Sequence, residues 1–190
     1  MSRRIAFVLL AALLLPAAVV PAVQADGRGL VDGDDIREGL DIARVSHGHR
    51  ASSDGARLLV HSIRLYRAWP VKRLQDQAFT VLNFDLRGRR GEDPERRVQI
   101  LSEDGKLVAR MFDMTAEPPA HLGRVGLRLP DRRTLRVVFP TRLLRRGLER
   151  YKWNAVTNVD GGSALCRRRV GCWDWAPDDR GKPTYIAHAV

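Results

Sequence analysis

Cysteine and lysine are scarce in this 190-residue chain, and aromatic residues make up only 6% of it. The two cysteines, Cys166 and Cys172, cannot complete a metal site alone, because such a site takes three or four ligands, and His188 is the only further candidate in the tail. Rings do not interleave with the basic groups as they do in single-strand nucleic-acid binders. A Gly-x-Ser-x-Gly motif is also missing, so nothing predicts a serine hydrolase with a nucleophile elbow.

Long apolar runs are absent except at the start of the chain. There, Arg3 and Arg4 precede an apolar stretch at 5–15, prolines follow it, and the small-residue site Val23–Ala25 comes next. A membrane anchor needs about 20 uninterrupted apolar residues, whereas this stretch has the length of the apolar part of a signal peptide. We therefore expect residues 1–25 to be a cleaved signal peptide and the protein to be secreted.

The remaining 165 residues fall within the size range of a single domain. Residues 26–39 are polar and rich in Gly and Asp, which predicts an extended N-terminal segment. Residues 40–190 are expected to form one β-domain with a disulfide-tethered C-terminal tail. The oxidising compartment predicts a disulfide between Cys166 and Cys172, and its short loop limits the stabilisation to about 2–3 kcal/mol.

Basic residues outnumber acidic ones, 33 to 22, and the predicted mature chain, without Arg3 and Arg4, has a net charge of +9. This balance favours anionic partners. All but four of the basic residues are arginines, and they are spread along the whole chain. This spread is typical of a solvent-exposed surface. For an exported protein, we expect anionic cell-wall polymers or extracellular polysaccharides as partners, in preference to nucleic acid. The densest arginine groups lie at 87–97, 142–150 and 167–169.

Apolar and polar residues alternate along most of the chain, and no helical stripe of three turns is present. Asp104–Gly105, between two alternating segments, is the strongest hairpin signal. Because each strand has one apolar face, the strands are expected to pack into two sheets or a barrel. We predict an all-β, two-layer antiparallel β-sandwich of jelly-roll or immunoglobulin-like type, with one short helix near 141–148. About eight strands are predicted, near 40–46, 58–66, 81–86, 98–102, 107–112, 125–129, 135–139 and 151–156.

Several short motifs carry a resemblance to known proteins. They are the run Leu40–His47, the strand Leu59–Ile63, the pair Phe84–Asp85 before a Gly-rich turn, and Tyr151–Trp153 followed by the two-cysteine tail. In these motifs the chain resembles secreted actinobacterial β-sandwich proteins, which are similar to jelly-roll accessory domains of extracellular enzymes, carbohydrate-binding modules among them. The resemblance implies the fold and brings no characterised activity.

The Gly-rich turn after Phe84 departs from the acidic turn of those proteins. Asp85, Glu92 and Asp93 are the residues that would hold a cation, but Arg87 and Arg89 stand where the pattern has acids. A calcium ion takes six or more oxygen ligands, and two guanidinium groups in the same turn oppose it electrostatically. We therefore predict neither a metal nor any other cofactor here.

His47 and His49 are the best candidates for a catalytic metal site. Residues two apart on a strand share a face, so both imidazoles would reach one ion. The pair is only a two-ligand fragment, and Gly48 between them equally suits a strand end. We therefore keep a small metal-dependent hydrolase as the alternative function and expect a structural or solvent-exposed role for the pair.

Three tryptophans are candidates for ligand binding. Trp173 and Trp175 alternate around Asp174, which predicts that both rings lie on one side of the tail. Trp69, before Pro70 in a loop, is expected to be exposed, whereas Trp153 belongs to the apolar face of its strand. Exposed rings stack on sugar faces, although the tail rings are also suited to cover the core as a lid.

The sequence therefore predicts a secreted, noncatalytic binding or structural protein. The favoured ligand is an extracellular polysaccharide or an anionic cell-wall polymer, contacted by Trp69, Trp173 or Trp175 and neighbouring arginines. Besides the hydrolase, the remaining alternative is a protein–protein adhesion module that uses an exposed strand edge.

Overall fold

The computed structural model describes residues 29–34, 36, 40–72, 74, 78–87, 93–159, 172–179, 182–183 and 185–189. The predicted signal peptide, most of the predicted N-terminal segment, Glu92 and Cys166 lie outside these residues. Among the described residues, no helix has the length and apolar character needed to span a membrane.

The described chain consists of strands joined by turns, and the predicted all-β class is confirmed. Each of the eight predicted strands overlaps one of the strands β2 to β9. The strands are β1 (Leu30–Val31), β2 (Ile42–Ala51), β3 (Arg57–Leu65), β4 (Ala78–Asp85), β5 (Arg96–Glu103), β6 (Lys106–Asp113), β7 (Ala120–Arg128), β8 (Thr134–Pro140), β9 (Arg150–Val159), β10 (Cys172–Ala176), β11 (Asp178–Asp179), β12 (Lys182–Pro183) and β13 (Ile186–Ala189).

Eleven of these strands form one antiparallel sheet that curls into a half-barrel, in the order β1-β2-β3-β8-β7-β6-β5-β4-β9-β10, with β13 also paired to β9. Hydrogen bonding is continuous across the sheet because β7 pairs with two partners. Its first part, to Val125, pairs with β6, and Gly126–Arg128 pair with β8. The strands therefore form one continuous curled sheet, and β11 and β12 form a small ribbon of their own.

The predicted helix near 141–148 is wrong, because the segment forms only one 3₁₀ turn at Thr141–Leu143. Thr141 donates its hydroxyl to the carbonyl of Arg57 at 3.3 Å and makes no capping hydrogen bond. Gly147 has a φ of +65°, which reverses the chain before a second turn can form. A helix of so few residues does not recover the cost of its first turn.

The hairpin between β5 and β6 is confirmed. Asp104 and Gly105 both have positive φ, 49° and 72°, as a two-residue type I′ turn requires. Glu103 and Lys106 close the ladder on either side of the turn.

The core fills the concave side of the curled sheet. Alternation sends Leu59, Ile63 and Leu65 of β3 inward, together with Leu82 and Phe84 of β4. The two ends of the sheet meet without a backbone ladder between them in the part of the chain that the structure describes. Side chains link the ends instead: the carboxylate of Asp174 accepts the N–H of Ile42, and the hydroxyl of Thr157 donates to the carbonyl of Leu40 at 2.6 Å.

Candidate functional site

The convex face of the sheet carries a group of three aromatic side chains, Phe79, Trp173 and Trp175, which we call the aromatic platform. In β10 alternation directs Cys172, Asp174 and Ala176 into the core, so Trp173 and Trp175 lie on one side of the strand, as predicted, and that side points outward. The indoles of Trp173 and Trp175 lie 12° from parallel with centroids 5.7 Å apart, and Phe79 meets Trp173 edge to face at 5.6 Å.

Strand register explains why Phe79 joins the two indoles. Trp173 of β10 and Phe79 of β4 both pair with Asn158 of β9, so the three residues form one row across the sheet. Phe79 alternates with the core residues of β4 and therefore shares the convex face with Trp173. Phe79 was not predicted from the sequence, although its place between two inward-facing positions was a usable signal.

The indole centroids are farther apart than the roughly 3.5–4.0 Å at which stacked carbons touch, so the two rings do not cover each other in close face-to-face contact. Each ring therefore leaves part of its face uncovered. Trp173 is 44% exposed, and neither indole N–H donates to any residue that the structure describes. The platform offers apolar ring faces and two available hydrogen-bond donors.

An apolar groove of about 300 Å³ adjoins the platform and shares Phe79 with it. Arg97 and Gln99 of β5 give the groove its polar groups. The Nε atom of Arg97 donates to the side-chain oxygen of Asn83 at 2.9 Å, and Asn83 in turn donates to Asn154 at 3.1 Å. These bonds hold the guanidinium of Arg97 in place. The groove is lined by Phe79, Val81, Arg97, Gln99, Phe112, Met114 and Pro119.

A second concave region, which we call the cationic cleft, lies where β4 ends and β9 begins. It comprises two cavities of about 580 and 320 Å³ that share Leu86, Arg87 and Arg150. Strand register brings its parts together, since Asp85 of β4 and Ala187 of β13 both pair with Lys152 of β9. The cleft is lined by Asp85, Leu86, Arg87, Arg145, Gly147, Glu149, Arg150, Tyr151, Lys152 and Ala187.

Three histidines meet inside the half-barrel, and we call them the histidine cluster. His47 and His61 face each other across β2 and β3. His188 of β13 lies 4.1 Å from His47, measured between ring centroids, so this contact joins the two ends of the sheet. All three are buried, and His61 is completely so. The convergence of three histidines from 47 to 188 has no local signal in the sequence.

Two aromatic residues of β9 complete this buried region. The hydroxyl of Tyr151 and Nε2 of His61 are 2.8 Å apart, and the indole N–H of Trp153 donates to Nδ1 of His47 at 3.3 Å. Burial, with smaller contributions from His47 and His188, lowers the pKa of His61 well below 6.5. Burial also raises the pKa of Tyr151. Both groups are therefore neutral near pH 7 and turned into the core, so we assign them a structural role.

Trp69 is not part of an exposed site. The side chain is only 5% exposed, and its indole N–H donates to the carbonyl of Arg133 at 2.9 Å. The backbone N–H of Trp69 also donates to the carbonyl of Arg132 at 2.9 Å. The expected exposure of this ring is therefore wrong, whereas the core position expected for Trp153 is confirmed.

The residues proposed for metals are not brought together as a site. Within the described ranges, no three His, Cys, Asp or Glu side chains are placed to hold a metal ion. His47 turns into the histidine cluster, and His49, two residues on, pairs in register with Leu59. Asp85 is buried and accepts the N–H of Arg87 at 3.0 Å, whereas Asp93 is exposed.

Cys172 is buried at the start of β10 and is not a free thiol. Its predicted partner, Cys166, lies outside the described residues. The disulfide between them stays a prediction.

No protein family, curated protein or solved structure matches this chain.

Proposed function

We propose that this protein is a secreted, noncatalytic module that binds extracellular polysaccharide through the aromatic platform and the adjoining groove. The observation that carries this proposal is the near-parallel pair of indoles, Trp173 and Trp175, on the convex face beside a groove that contains the held guanidinium of Arg97. The resemblance of the sequence motifs to jelly-roll accessory domains of extracellular enzymes, which include carbohydrate-binding modules, also supports this proposal.

Ring faces suit sugars for a physical reason. A pyranose has a face of C–H groups that packs on the electron-rich face of an indole, and its hydroxyls need hydrogen-bond partners around the rim. The platform supplies the ring faces of Trp173 and Trp175 and their indole N–H groups. Partial exposure of Trp173 before binding leaves apolar area that a sugar would remove from water.

The groove extends this surface beyond one sugar. Phe79 belongs to both regions, so a chain stacked on Trp173 continues toward Arg97 and Gln99 without leaving the protein surface. Because Asn83 and Asn154 hold Arg97 in position, its guanidinium loses little conformational entropy when it binds a hydroxyl. A linear polymer fits this arrangement better than a single small molecule.

Retention on insoluble polysaccharides tests the proposal. Purified protein is incubated with cellulose, chitin and cell-wall preparations, and the bound fraction is measured. We expect the double variant Trp173→Ala, Trp175→Ala to lose at least about tenfold in affinity for the polymer that retains the native protein, which corresponds to about 1.4 kcal/mol.

A matched control removes exposed apolar side chains elsewhere. Leu122 and Leu129 are 39% and 42% exposed and lie outside the platform, so the variant Leu122→Ala, Leu129→Ala should be retained as the native protein is. Equal loss in both double variants would indicate nonspecific adsorption. Full retention of the tryptophan variant would exclude the platform as the binding surface.

A further inference from the structure

We propose that the cationic cleft is a second binding site, which takes carboxylate or phosphate groups of an acidic polysaccharide. This second proposal rests on the proposed function, because it takes the ligand to be a polysaccharide. It adds that the polysaccharide is negatively charged. The cleft is a separate surface from the platform. Asp85 follows Phe79 by six positions along β4, a distance of about 20 Å along the strand.

The walls of the cleft are fixed by backbone geometry on one side. The positive φ of Gly147 turns the chain between the 3₁₀ segment and β9, which brings Arg145 and Arg150 to the same cavity. Both arginines are exposed, and neither forms an ion pair with a residue that the structure describes. Their guanidinium groups are therefore available to a ligand.

On the other side, a buried carboxylate fixes the position of Arg87. One oxygen of Glu95 accepts the backbone N–H of Leu86 at 2.8 Å, and the other lies 3.2 Å from Nε of Arg87. Glu95 is only 7% exposed, so it holds the wall of the cleft from beneath. Arg87, which lines both cavities together with Arg150, is thus pre-positioned.

The cleft has more positive than negative charge. Its cationic side chains are Arg87, Arg145, Arg150 and Lys152, and its acidic ones are Asp85 and Glu149. Glu95, which pairs with Arg87 from outside the lining, adds one negative charge. The net charge of the cleft is still positive when Glu95 is included. In Asp85 one carboxylate oxygen accepts the N–H of Arg87, so part of its hydrogen-bonding capacity is already used.

The chemistry of these side chains selects oxyanions. A planar guanidinium donates two parallel hydrogen bonds to a carboxylate or a phosphate, and several such groups along one cleft suit an anion repeated along a chain. The two cavities exceed the volume of a single small anion, which favours an extended polymer.

Binding measurements with three soluble probes test this proposal. Polygalacturonate supplies carboxylates, a glycerol-phosphate teichoic acid supplies phosphates, and an oligothymidine of similar length supplies phosphates on a nucleic acid. We expect Arg145→Ala, Arg150→Ala to weaken binding of at least one of the two acidic cell-wall-type polymers by about tenfold or more. Which of the two responds identifies the anion.

The matched control is Arg128→Ala, Arg132→Ala, which removes the same charge from exposed positions outside the cleft. We expect this variant to bind within about threefold of the native protein. Equal losses in the two variants would show a diffuse charge effect and overturn the proposal, as would tight binding that neither variant changes. Overturning results also include a loss for oligothymidine alone and a native protein that binds neither acidic polymer.

The platform variant Trp173→Ala, Trp175→Ala separates the two proposals. If it keeps its retention on neutral polysaccharide while the cleft variant loses the acidic polymer, the platform proposal fails and the cleft proposal stands. The reverse pattern supports the platform and overturns the cleft.

Discussion

Two groups of aromatic side chains on neighbouring strands have opposite surroundings. In β9, Tyr151 and Trp153 are buried against histidines, and the indole N–H of Trp153 is satisfied by His47. In β10, Trp173 and Trp175 lie on the convex face, and their N–H groups donate to no residue in the described ranges. The comparison shows that hydrogen-bond satisfaction, together with burial, separates rings that hold the fold from rings open to a ligand.

Truncating one tryptophan in each group tests this difference most strongly. Trp153 is fully buried, so Trp153→Ala should lower the free energy of unfolding by about 3–5 kcal/mol. Trp173→Ala removes only surface ring contacts and should cost about 1 kcal/mol or less. Urea unfolding of both variants measures these values, and similar losses would show that the tail rings also belong to the core.

A smaller change probes the hydrogen bond inside the histidine cluster. Tyr151→Phe leaves Nε2 of His61 without its partner in a fully buried position, which should cost about 1–3 kcal/mol. Tyr185 provides the control, because it is 38% exposed and its loss of a hydroxyl should change stability by less than about 0.5 kcal/mol. If Tyr151→Phe is as mild as Tyr185→Phe, the buried hydrogen bond contributes nothing to stability.

The histidine cluster should also make the fold sensitive to acid. The pKa of His61 is well below 6.5 in the folded protein, whereas the unfolded chain has a pKa of about 6.5. Below pH 6.5 the unfolded state therefore binds the proton first, and stability falls as the pH falls, by up to about 1.4 kcal/mol per pH unit for this group. Urea midpoints from pH 7.5 to 5 measure the slope.

Two histidine variants identify the source of that slope. Replacing His61 with Phe, which suits its position between Phe84 and Phe139, should flatten the profile. Replacing the exposed His121 with Asn should leave it unchanged. A steep profile that survives His61→Phe would place the acid sensitivity elsewhere.

Strands such as β5 and β8 were predictable from sequence because their inward positions are more buried than the positions between them, which gives the sequence a period of two. The Asp104–Gly105 turn was predictable for a related reason, since its backbone requires positive φ at both residues. Strand β13 was not predicted, because its four residues are too few to establish a period, and β10 was recognised only through the alternation of its two tryptophans. Closure of the sheet also depends on long-range pairing, such as the two partners of β7, which no local pattern encodes.

The candidate site was partly predictable. Alternation around Asp174 correctly placed Trp173 and Trp175 on one side of their strand. The error at Trp69 has a long-range cause, because its N–H bonds to a carbonyl 64 residues away. The cationic cleft combines the end of β4 with the start of β9, so its arginines were visible in the sequence but their meeting was not.

The indole N–H signals of the four tryptophans provide the most direct test of the central claim. In an NMR titration with a soluble oligomer of the retained polysaccharide, the signals of Trp173 and Trp175, assigned with Trp→Phe variants, should shift. Those of the buried Trp69 and Trp153 should stay in place. Shifts confined to Trp69 or Trp153, or no shift at Trp173 and Trp175 while the oligomer binds, would contradict the account.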